Sequence, residues 1–194
     1  MIRLRFARPE DTEALLALYA PFVRDGAVTF ENQVPALTAY RDRIAQIQSF
    51  YPYLVCEQEG RILGYAYAHA LREREAYQWS AELSIYLHPA AQGQGVGTIL
   101  YSALMELLRE QGICTVYGCV TLPNPASEAL HRSLGFTLSG IWKKSGFKAG
   151  SWWDVGWFEK SLGPYPDDPV PPRAISTLPP EYVQAILTKY QGQK

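Results

Sequence analysis

A glycine-rich segment, Gln92-Gly93-Gln94-Gly95-Val96-Gly97, joins a strand-like stretch to a strongly helical one. Backbone N–H groups at the start of a helix lack partners within the helix, and the helix dipole places partial positive charge there. Glycines in such a loop let a ligand approach the backbone closely and permit a positive φ. The segment therefore predicts a phosphate-binding site at a helix N-terminus.

Two common phosphate-binding patterns do not match this loop. A dinucleotide fingerprint requires G-x-G-x-x-G near the first βα unit, and here the third glycine comes one residue early. A P-loop requires a lysine after its last glycine, and this segment contains none. A tight structural turn between a strand and a helix remains the alternative to a binding site.

An acidic side chain, Glu82, interrupts the otherwise apolar stretch before the loop. Strand alternation places Glu82 on one face with Ser84 and Tyr86, while the leucines and the isoleucine point the other way. A carboxylate in such a stretch is costly unless it is paired or functional. Glu82 is therefore either a catalytic base or the partner of Arg72 or Arg74 in an ion pair.

A second titratable candidate, His131, lies in a short predicted helix that Asn124 can cap. Because the pKa of imidazole is near neutrality, His131 could donate or relay a proton; the alternative is a structural histidine on a helix flank. His69 and His88 have no comparable neighbours and are interpreted as structural or solvent-facing. The sequence has no H-E-x-x-H motif and no Cys/His ligand spacing, so it implies no metal.

The segment 71–79, just before the Glu82 stretch, contains Arg72, Arg74, Tyr77 and Trp79. Guanidinium groups bind carboxylates or phosphinates through two parallel hydrogen bonds. The segment is therefore a candidate site for an anionic small molecule. A charge run of this kind is also typical of a solvated loop.

The hydrophobic pattern supplies the elements that must position these residues. It predicts the order β-α-α-β-β-β-α-β-α-β-β. Asp11 is the expected cap of the first helix, and Leu100, Leu104 and Leu108 form an i, i+4 stripe on the helix that follows the glycine loop. Predicted strands cover residues 2–6, 53–57, 62–70, a stretch ending at 87, 113–121, 137–144 and 152–160; the helices after the first start at 35 and cover 98–111 and 125–134.

The last 32 residues differ in composition from the rest of the chain, because they contain seven of the fourteen prolines. We expect one domain over residues 1–162 and a proline-rich extension over 163–194, in which only 181–190 has a helical pattern.

The composition bounds the function before any motif is considered. The chain has 194 residues, a formal net charge of -1, 47% hydrophobic and 19% charged residues. This composition excludes a disordered chain and gives no indication of a nucleic-acid or anionic-membrane partner. No apolar run approaches a membrane span, no signal peptide is visible, and we expect a cytoplasmic protein. Cys56, Cys114 and Cys119 lie in apolar stretches and are predicted to be buried, reduced thiols.

The loop matches Q-x-x-G-x-G through Gln92, Gly95 and Gly97, a pattern that resembles the pyrophosphate loop of the GNAT superfamily of acetyl-CoA-dependent N-acetyltransferases. Within that superfamily the chain is similar to the phosphinothricin N-acetyltransferase branch, which includes enzymes that acetylate methionine sulfoximine and related α-amino acid analogues. The likeness covers about residues 1–162. The residues that carry it include Phe30, Tyr51, Pro52, Gly64, Tyr67, Tyr77, Trp79, Glu82, Pro123, Asn124, His131, Gly135, Phe136, Lys148, Trp152 and Asp154.

The resemblance implies a mixed α/β (α+β) fold with a central, mostly antiparallel sheet flanked by helices. It implies acetyl-CoA as co-substrate and direct attack of an amine on the thioester. Glu82 would accept the amine proton. In many GNAT enzymes a tyrosine at the position of His131 protonates the departing sulfur, so His131 would either do the same or relay the amine proton. Homodimerisation is expected from the family.

Site residues follow from the same resemblance. Backbone N–H groups of 85–87 would bind the thioester oxygen and the pantetheine arm, and Asn124 would either contact the cofactor or only cap its helix. The expected acetyl-CoA residues are Ile85, Tyr86, Leu87, Gln92, Gly93, Gln94, Gly95, Val96, Gly97, Thr98, Asn124 and Ser127. The expected acceptor residues are Phe30, Glu31, Arg72, Arg74, Tyr77 and Trp79.

Two alternatives to acetylation of an amino acid analogue remain. The acceptor could be another amine, such as an antibiotic, a polyamine or a peptide N-terminus, although Arg72 and Arg74 favour an anionic acceptor. The chain could also be a catalytically silent acyl-CoA-binding module. The branch often has histidine where Trp153 stands, which leaves the acceptor range open. Trp152 and Trp153 are expected near the site or at a subunit interface.

Overall fold

The computed structural model describes residues 2–191 and has the element order that the sequence predicts, followed by one C-terminal helix. The predicted mixed α/β fold is confirmed. The strands are β1 (Ile2–Phe6), β2 (Tyr53–Gln58), β3 (Arg61–Ala70), β4 (Ser80–Leu87), β5 (Thr115–Leu122), β6 (Thr137–Lys148) and β7 (Ser151–Ser161). The helices are α1 (Thr12–Arg24), α2 (Leu37–Gln48), α3 (Val96–Gln111), α4 (Pro125–Ser133) and α5 (Pro180–Tyr190).

The seven strands form one sheet in the order β1-β2-β3-β4-β5-β7-β6. Every neighbouring pair is antiparallel except β4 and β5, which are parallel and are joined through the crossover helix α3. Pairing of β4 with β5 covers only four residue pairs, from Ser80↔Thr115 to Leu83↔Gly118. Beyond Leu83 the two strands diverge in the middle of the sheet.

Helix α3 covers one face of the sheet and forms the centre of the larger core. Its predicted leucine stripe is confirmed, because Leu100, Leu104 and Leu108 have no exposed surface. Helices α1 and α2 cover part of the other face, where Tyr53 and Tyr65 are buried with their rings stacked at 5.5 Å. On the part of that face formed by β5, β6 and β7, no helix of the described chain packs as extensively as α1 and α2 do on their part.

The sequence predicts that Asp11 caps α1, and this prediction is wrong, because its side chain makes no capping hydrogen bond to the helix. Its carboxylate instead accepts hydrogen bonds from Arg5 at 2.6 and 2.9 Å and from the Arg8 backbone N–H at 2.7 Å. The guanidinium and the N–H bond hold the pKa of Asp11 below its usual value against the opposing effect of burial.

The proline-rich segment after β7 crosses the α3 side of the sheet and ends in α5. Ile186 and Leu187 of α5 are buried in the larger core. The buried Gln111 amide donates hydrogen bonds to the backbone carbonyls of Phe50 and Arg173, both at 2.8 Å. These contacts fasten the segment to the body of the fold along most of its described length.

The three cysteines are free but are not uniformly buried, so this part of the prediction is wrong. Cys56 is buried, Cys114 is half-buried and Cys119 is exposed. Within residues 2–191, no helix is long and apolar enough to cross a membrane.

Candidate active site

The divergence of β4 and β5 opens a narrow slot in the sheet, with a cavity of about 60 Å³. Residues from both diverging strands, from α3 and from α4 line this slot. They include Ser84, Ile85, Tyr86, Tyr101, Cys119, Thr121, Asn124, Ser127 and His131. Backbone groups of 84–87 that face β5 have no strand partner on that side, because the β4–β5 pairing ends at Leu83. They are therefore available to a ligand, as the sequence predicts for 85–87.

Glu82 lies on β4 just before the divergence, with a side chain that is 19% exposed. Burial raises the pKa of Glu82, and the charges of His69 and Arg72 oppose that effect. No ion pair to Arg72 or Arg74 is present among the described residues, so the structural alternative to catalysis does not hold in that form. Glu82 is thus a half-buried carboxylate beside an opening in the sheet.

His69 lies directly beside Glu82, so the expectation that it has no comparable neighbours is wrong, while its expected exposure to solvent is confirmed. The two residues are directly opposite in the β3–β4 register, and Nε2 of His69 is 3.9 Å from Oε1 of Glu82. The His69 side chain is 37% exposed. The pair therefore links the half-buried carboxylate to solvent.

A groove of about 670 Å³ continues from the slot along the glycine loop, on the α3 and α4 side. Gly93 and Gly95 have φ of 72° and 78°, the conformation for which glycine is favoured. Gly95 is the residue before α3, so the groove meets the positive end of the helix dipole. Most residues predicted to bind the cofactor line it: Ile85, Leu87, Gln92, Gly93, Gly95, Val96, Gly97, Thr98, Asn124 and Ser127.

Two residues of the predicted cofactor set do not line this groove. The side-chain amide of Gln94 donates to the carbonyl of Ala90 at 2.5 Å and so closes the loop on itself. Tyr86 lines the slot, and its ring packs edge-on against Tyr19 at 4.9 Å on the opposite face of the sheet. Both positions follow from local geometry: Gln94 is at the outside of a tight turn, and Tyr86 alternates with Ile85 and Leu87.

Asn124 precedes α4 and also lines the groove. Its Oδ1 accepts a hydrogen bond from the backbone N–H of Ser127 at 3.2 Å, which is the N-cap arrangement that the sequence predicts. The side-chain NH₂ group of Asn124 has no protein partner in the described part of the chain and is available to a ligand.

His131 is 2% exposed and lies under the sheet at the point of divergence. Its Nδ1 is 2.8 Å from the carbonyl oxygen of Ser127, and because a carbonyl only accepts, Nδ1 carries the hydrogen. Burial lowers the pKa of His131, so the ring is neutral at pH 7 and Nε2 carries a lone pair. Nε2 is buried and has no partner within residues 2–191.

Gly118 on β5 makes room for this imidazole. A Cβ atom at residue 118 would lie 2.1 Å from Nε2 of His131, and real atoms do not approach that closely. Phe136 and Phe158 complete the ring's surroundings at centroid distances of 5.0 and 5.3 Å. The histidine therefore lies in an apolar pocket, in contrast to Glu82.

Two slot residues, Tyr101 and Cys119, are missed by the sequence analysis as parts of the site. Tyr101 is 1% exposed, and burial keeps its hydroxyl protonated by raising its pKa. Cys119 retains exposed surface, yet partial burial of its thiol, reinforced by the charge of Glu82, raises its pKa to about 12. Neither group ionises at neutral pH.

The early loop that carries Phe30 and Glu31 is attached to β6 near the slot. The Phe30 ring occupies the space over Gly146, where a Cβ atom would be 2.2 Å from the ring. The buried Lys148 donates to the carbonyl of Thr29 at 2.6 Å. Glu31 pairs with Arg43 at 2.6 Å through Oε1, and its buried Oε2 has no partner in the described chain.

The predicted arginine segment forms a separate surface hollow of about 580 Å³, lined by Arg72, Arg74 and Tyr77 among others. Of these, Arg72 extends toward the sheet, with its guanidinium over the Trp157 ring at 5.7 Å. Trp79 points elsewhere, since its indole N–H donates to the carbonyl of Val170 in the C-terminal segment at 2.9 Å. The structure therefore brings Arg72, Arg74 and Tyr77 together, while Trp79, Phe30 and Glu31 do not line this hollow.

The mixed sheet thus diverges beside a glycine loop, and a groove runs from that loop to the slot, next to which Glu82 lies on β4. Residues 4–157 match the family model described as "Acetyltransferase (GNAT) domain", and the chain belongs to this family. It is an N-acetyltransferase.

Two relatives and one solved structure show the range of similar proteins. A phosphinothricin N-acetyltransferase from Alcaligenes faecalis is 39% identical over 82% of each chain. An L-methionine sulfoximine/L-methionine sulfone acetyltransferase from Salmonella typhimurium is 33% identical over 82% of this chain and 94% of its own. The GNAT superfamily phosphinothricin acetyltransferase from Sinorhizobium meliloti, solved with AcCoA, is 38% identical, with a TM-score of 0.81 over 84% of this chain and 89% of that chain.

Acetyl-CoA is the co-substrate of this family, and the groove fits it. Side chains added at Gly93 or Gly95 would meet nothing within 4 Å, so the loop backbone is open to a pyrophosphate group. The apolar wall formed by Leu87, Val96 and Leu130 suits the pantetheine arm. When bound, acetyl-CoA supplies the acetyl group as a thioester.

Proposed function

We propose that the protein transfers the acetyl group to the α-amine of a small amino acid analogue of the phosphinothricin, methionine sulfoximine or methionine sulfone type. The observation that carries this proposal is the half-buried carboxylate of Glu82 next to the slot that opens into the acetyl-CoA groove. The relatives support the substrate class, because their names specify these amino acid analogues.

Glu82 acts as the general base in this proposal. A free α-amine has a pKa of about 7.7–8.0, so much of it is protonated near neutral pH and a base is required. The raised pKa of Glu82 makes its carboxylate a better proton acceptor than an exposed one. Backbone N–H groups of 85–87 on the free edge of β4 are proposed to orient the acetyl oxygen.

His131 is the second proposed catalytic residue. With hydrogen on Nδ1 and a lone pair on Nε2, the neutral ring can accept a proton but cannot donate one from Nε2. Of the two roles that the sequence leaves open, this geometry favours relay of the amine proton over protonation of the departing sulfur.

For the acceptor we propose a site on the Glu82 face of the sheet, between the early loop and Arg72. Phe30 would supply an apolar wall, and the unpaired Oε2 of Glu31 would bind a donor group of the acceptor. The guanidinium groups of Arg72 and Arg74 would attract the acceptor's anionic group, and Tyr77 lines the same hollow. Trp79 acts at most by holding the C-terminal segment.

A test of this function measures CoA release from acetyl-CoA with phosphinothricin, methionine sulfoximine, methionine sulfone, the proteinogenic amino acids and spermidine. We expect turnover with the first three and a decrease in kcat of about 100-fold or more for Glu82→Gln. Glu13→Gln is the matched control, because Glu13 is an exposed carboxylate on α1 away from the slot.

Three other outcomes would each change the proposal. Turnover with spermidine alone would keep the activity and overturn the acceptor class. Tight binding of acetyl-CoA without turnover of any amine would favour a silent acyl-CoA-binding module. Full activity of Glu82→Gln would remove this residue as the base.

We also propose that the protein is a homodimer that pairs through the β6–β7 hairpin. Trp142, Phe147 and Trp152 are 51%, 57% and 61% exposed there, an apolar surface typical of an interface. Light scattering should give twice the monomer mass, and Trp152→Glu should reduce it toward the monomer. Trp153 instead donates its indole N–H to the Lys148 carbonyl at 2.9 Å and serves the hairpin itself.

A further inference from the structure

His69 and Glu82 form a two-residue connection between the slot and solvent. They are a directly opposed pair on β3 and β4, so both side chains emerge on the same face of the sheet. The 3.9 Å between Nε2 and Oε1 is longer than a direct hydrogen bond and is short enough for a shared proton after a small movement or through one water. Glu82 is mostly enclosed, whereas His69 is 37% exposed.

The tautomer of His69 is set by its own strand. Nδ1 is 3.1 Å from the carbonyl oxygen of Ala70, and because that oxygen can only accept, Nδ1 carries the hydrogen. Neutral His69 therefore presents the lone pair of Nε2 to Glu82. A carboxylate and an imidazole lone pair facing each other favour one proton between them, on either atom.

The other groups that face this pair keep the exchange confined to it. The positive charge of Arg72, from the segment after β3, favours the ionised form of Glu82. Tyr67 on β3, Tyr101 on α3, and Tyr117 and Cys119 on β5 all have raised pKa values and remain protonated near neutrality. Among these neighbours only His69 presents the lone pair of a basic nitrogen to Glu82.

We infer that His69 is the residue through which Glu82 returns the amine proton to solvent. This inference rests on the proposed role of Glu82 as base. The N–H bond of the ammonium breaks as the Oε1–H bond of Glu82 forms; that proton then moves to Nε2 of His69, and the imidazolium releases it to water. Glu82 is thereby ionised again for the next turnover. Because His69 acts on the reaction only through Glu82, from which it accepts the proton, it is a positioning residue and not a catalytic one.

The first test compares the pH dependence of kcat in the wild type and His69→Gln, with the acceptor and acetyl-CoA saturating. In the wild type, kcat should fall as the pH is lowered, because a proton already on Glu82 or on His69 blocks the transfer. In His69→Gln the acid limb should follow Glu82 alone and so differ from that of the wild type, and kcat should be about 10-fold lower at pH 7.5. KM for acetyl-CoA should be the same in His69→Gln as in the wild type, because His69 does not line the cofactor groove. A variant with the wild-type kcat and the wild-type acid limb would overturn the inference.

The second test is chemical rescue. Imidazole added to His69→Ala should raise kcat several-fold in proportion to its neutral form, because a small imidazole can occupy the half-exposed site. A purely structural role of His69 gives no such response, and absence of rescue would contradict the relay.

Glu82→Gln, measured alongside, separates the two hypotheses. If Glu82→Gln is inactive while both His69 variants match the wild type, only the relay fails. If Glu82→Gln remains active, the proposed base fails, and the relay fails with it.

Discussion

The two faces of the sheet at the β4–β5 divergence differ in how they hold a titratable side chain. On one face, Glu82 is half-buried, opposite an exposed histidine and near Arg72. On the other, His131 is 2% exposed among aromatic rings, with Nε2 unpartnered in the described chain. The first arrangement connects a carboxylate to solvent, while the second encloses an imidazole and favours its neutral form. We therefore propose that proton exchange with solvent takes place on the Glu82 face; the cofactor groove lies on the His131 face.

The largest effect that would sharpen this comparison is expected at Gly118. Gly118→Ala brings a Cβ atom into the imidazole of His131, and we expect a loss of about 1–3 kcal/mol of unfolding free energy from overpacking. Chemical denaturation measures the loss. Gly140→Ala, at a half-buried strand position where an added Cβ would meet nothing within 4 Å, is the control and should change stability little. Equal stability of the two variants would show that His131 is loosely held.

Asn124→Ala tests the groove face. The variant loses the hydrogen bond from Oδ1 to the Ser127 N–H, which should cost about 1 kcal/mol of stability. It should also raise KM for acetyl-CoA several-fold and leave KM for the acceptor unchanged. Steady-state kinetics with each substrate varied in turn would show this, and a rise confined to the acceptor's KM would contradict the assignment of the two faces.

Glu31→Gln is the corresponding change on the acceptor face. Its partly exposed ion pair with Arg43 contributes under about 1 kcal/mol to stability, so the fold should persist. We expect KM for the acceptor to rise several-fold while KM for acetyl-CoA stays constant. If the substitution alters only the acetyl-CoA constant, the early loop does not line the acceptor site.

The smallest expected effect is the pH dependence of stability from His131. Its folded pKa is lowered by burial below the unfolded value of about 6.5, so the unfolded state binds more protons between the two. Stability from the neutral ring is present above pH 6.5 and is lost as the pH falls through the folded pKa. Denaturation curves of the wild type and His131→Phe between pH 8 and 5 should show this slope in the wild type only. A similar slope in both proteins would exclude His131 as its source.

The groove could be predicted from the sequence because its signals are local. Each signal involves residues that are close together in the sequence: the spacing of Gln92, Gly95 and Gly97, the cap at Asn124, and the leucine stripe of α3. Such signals depend on backbone geometry that neighbouring residues fix. Hydrophobic periodicity likewise predicts the order of the elements and which side chains of β4 lie on which face of the sheet.

The acceptor face could not be predicted as well, because it depends on register. The opposition of His69 and Glu82 depends on how β3 pairs with β4 across a connection too long to fix the register. The direction of Trp79 depends on a partner ninety-one residues away in the C-terminal segment. For His131, Gly118 within a strand was the one available signal of close approach.

The most direct test of this account is to follow the ¹⁵N and ¹³C ring signals of the three histidines by NMR from pH 8 to pH 5. The account predicts that His131 stays neutral, with its hydrogen on Nδ1, to a lower pH than a free imidazole. It also predicts that Glu82→Gln changes the ring signals of His69 and leaves those of His131 unchanged. A His131 that is protonated at pH 7, or that carries its hydrogen on Nε2, would contradict the division between the two faces of the sheet.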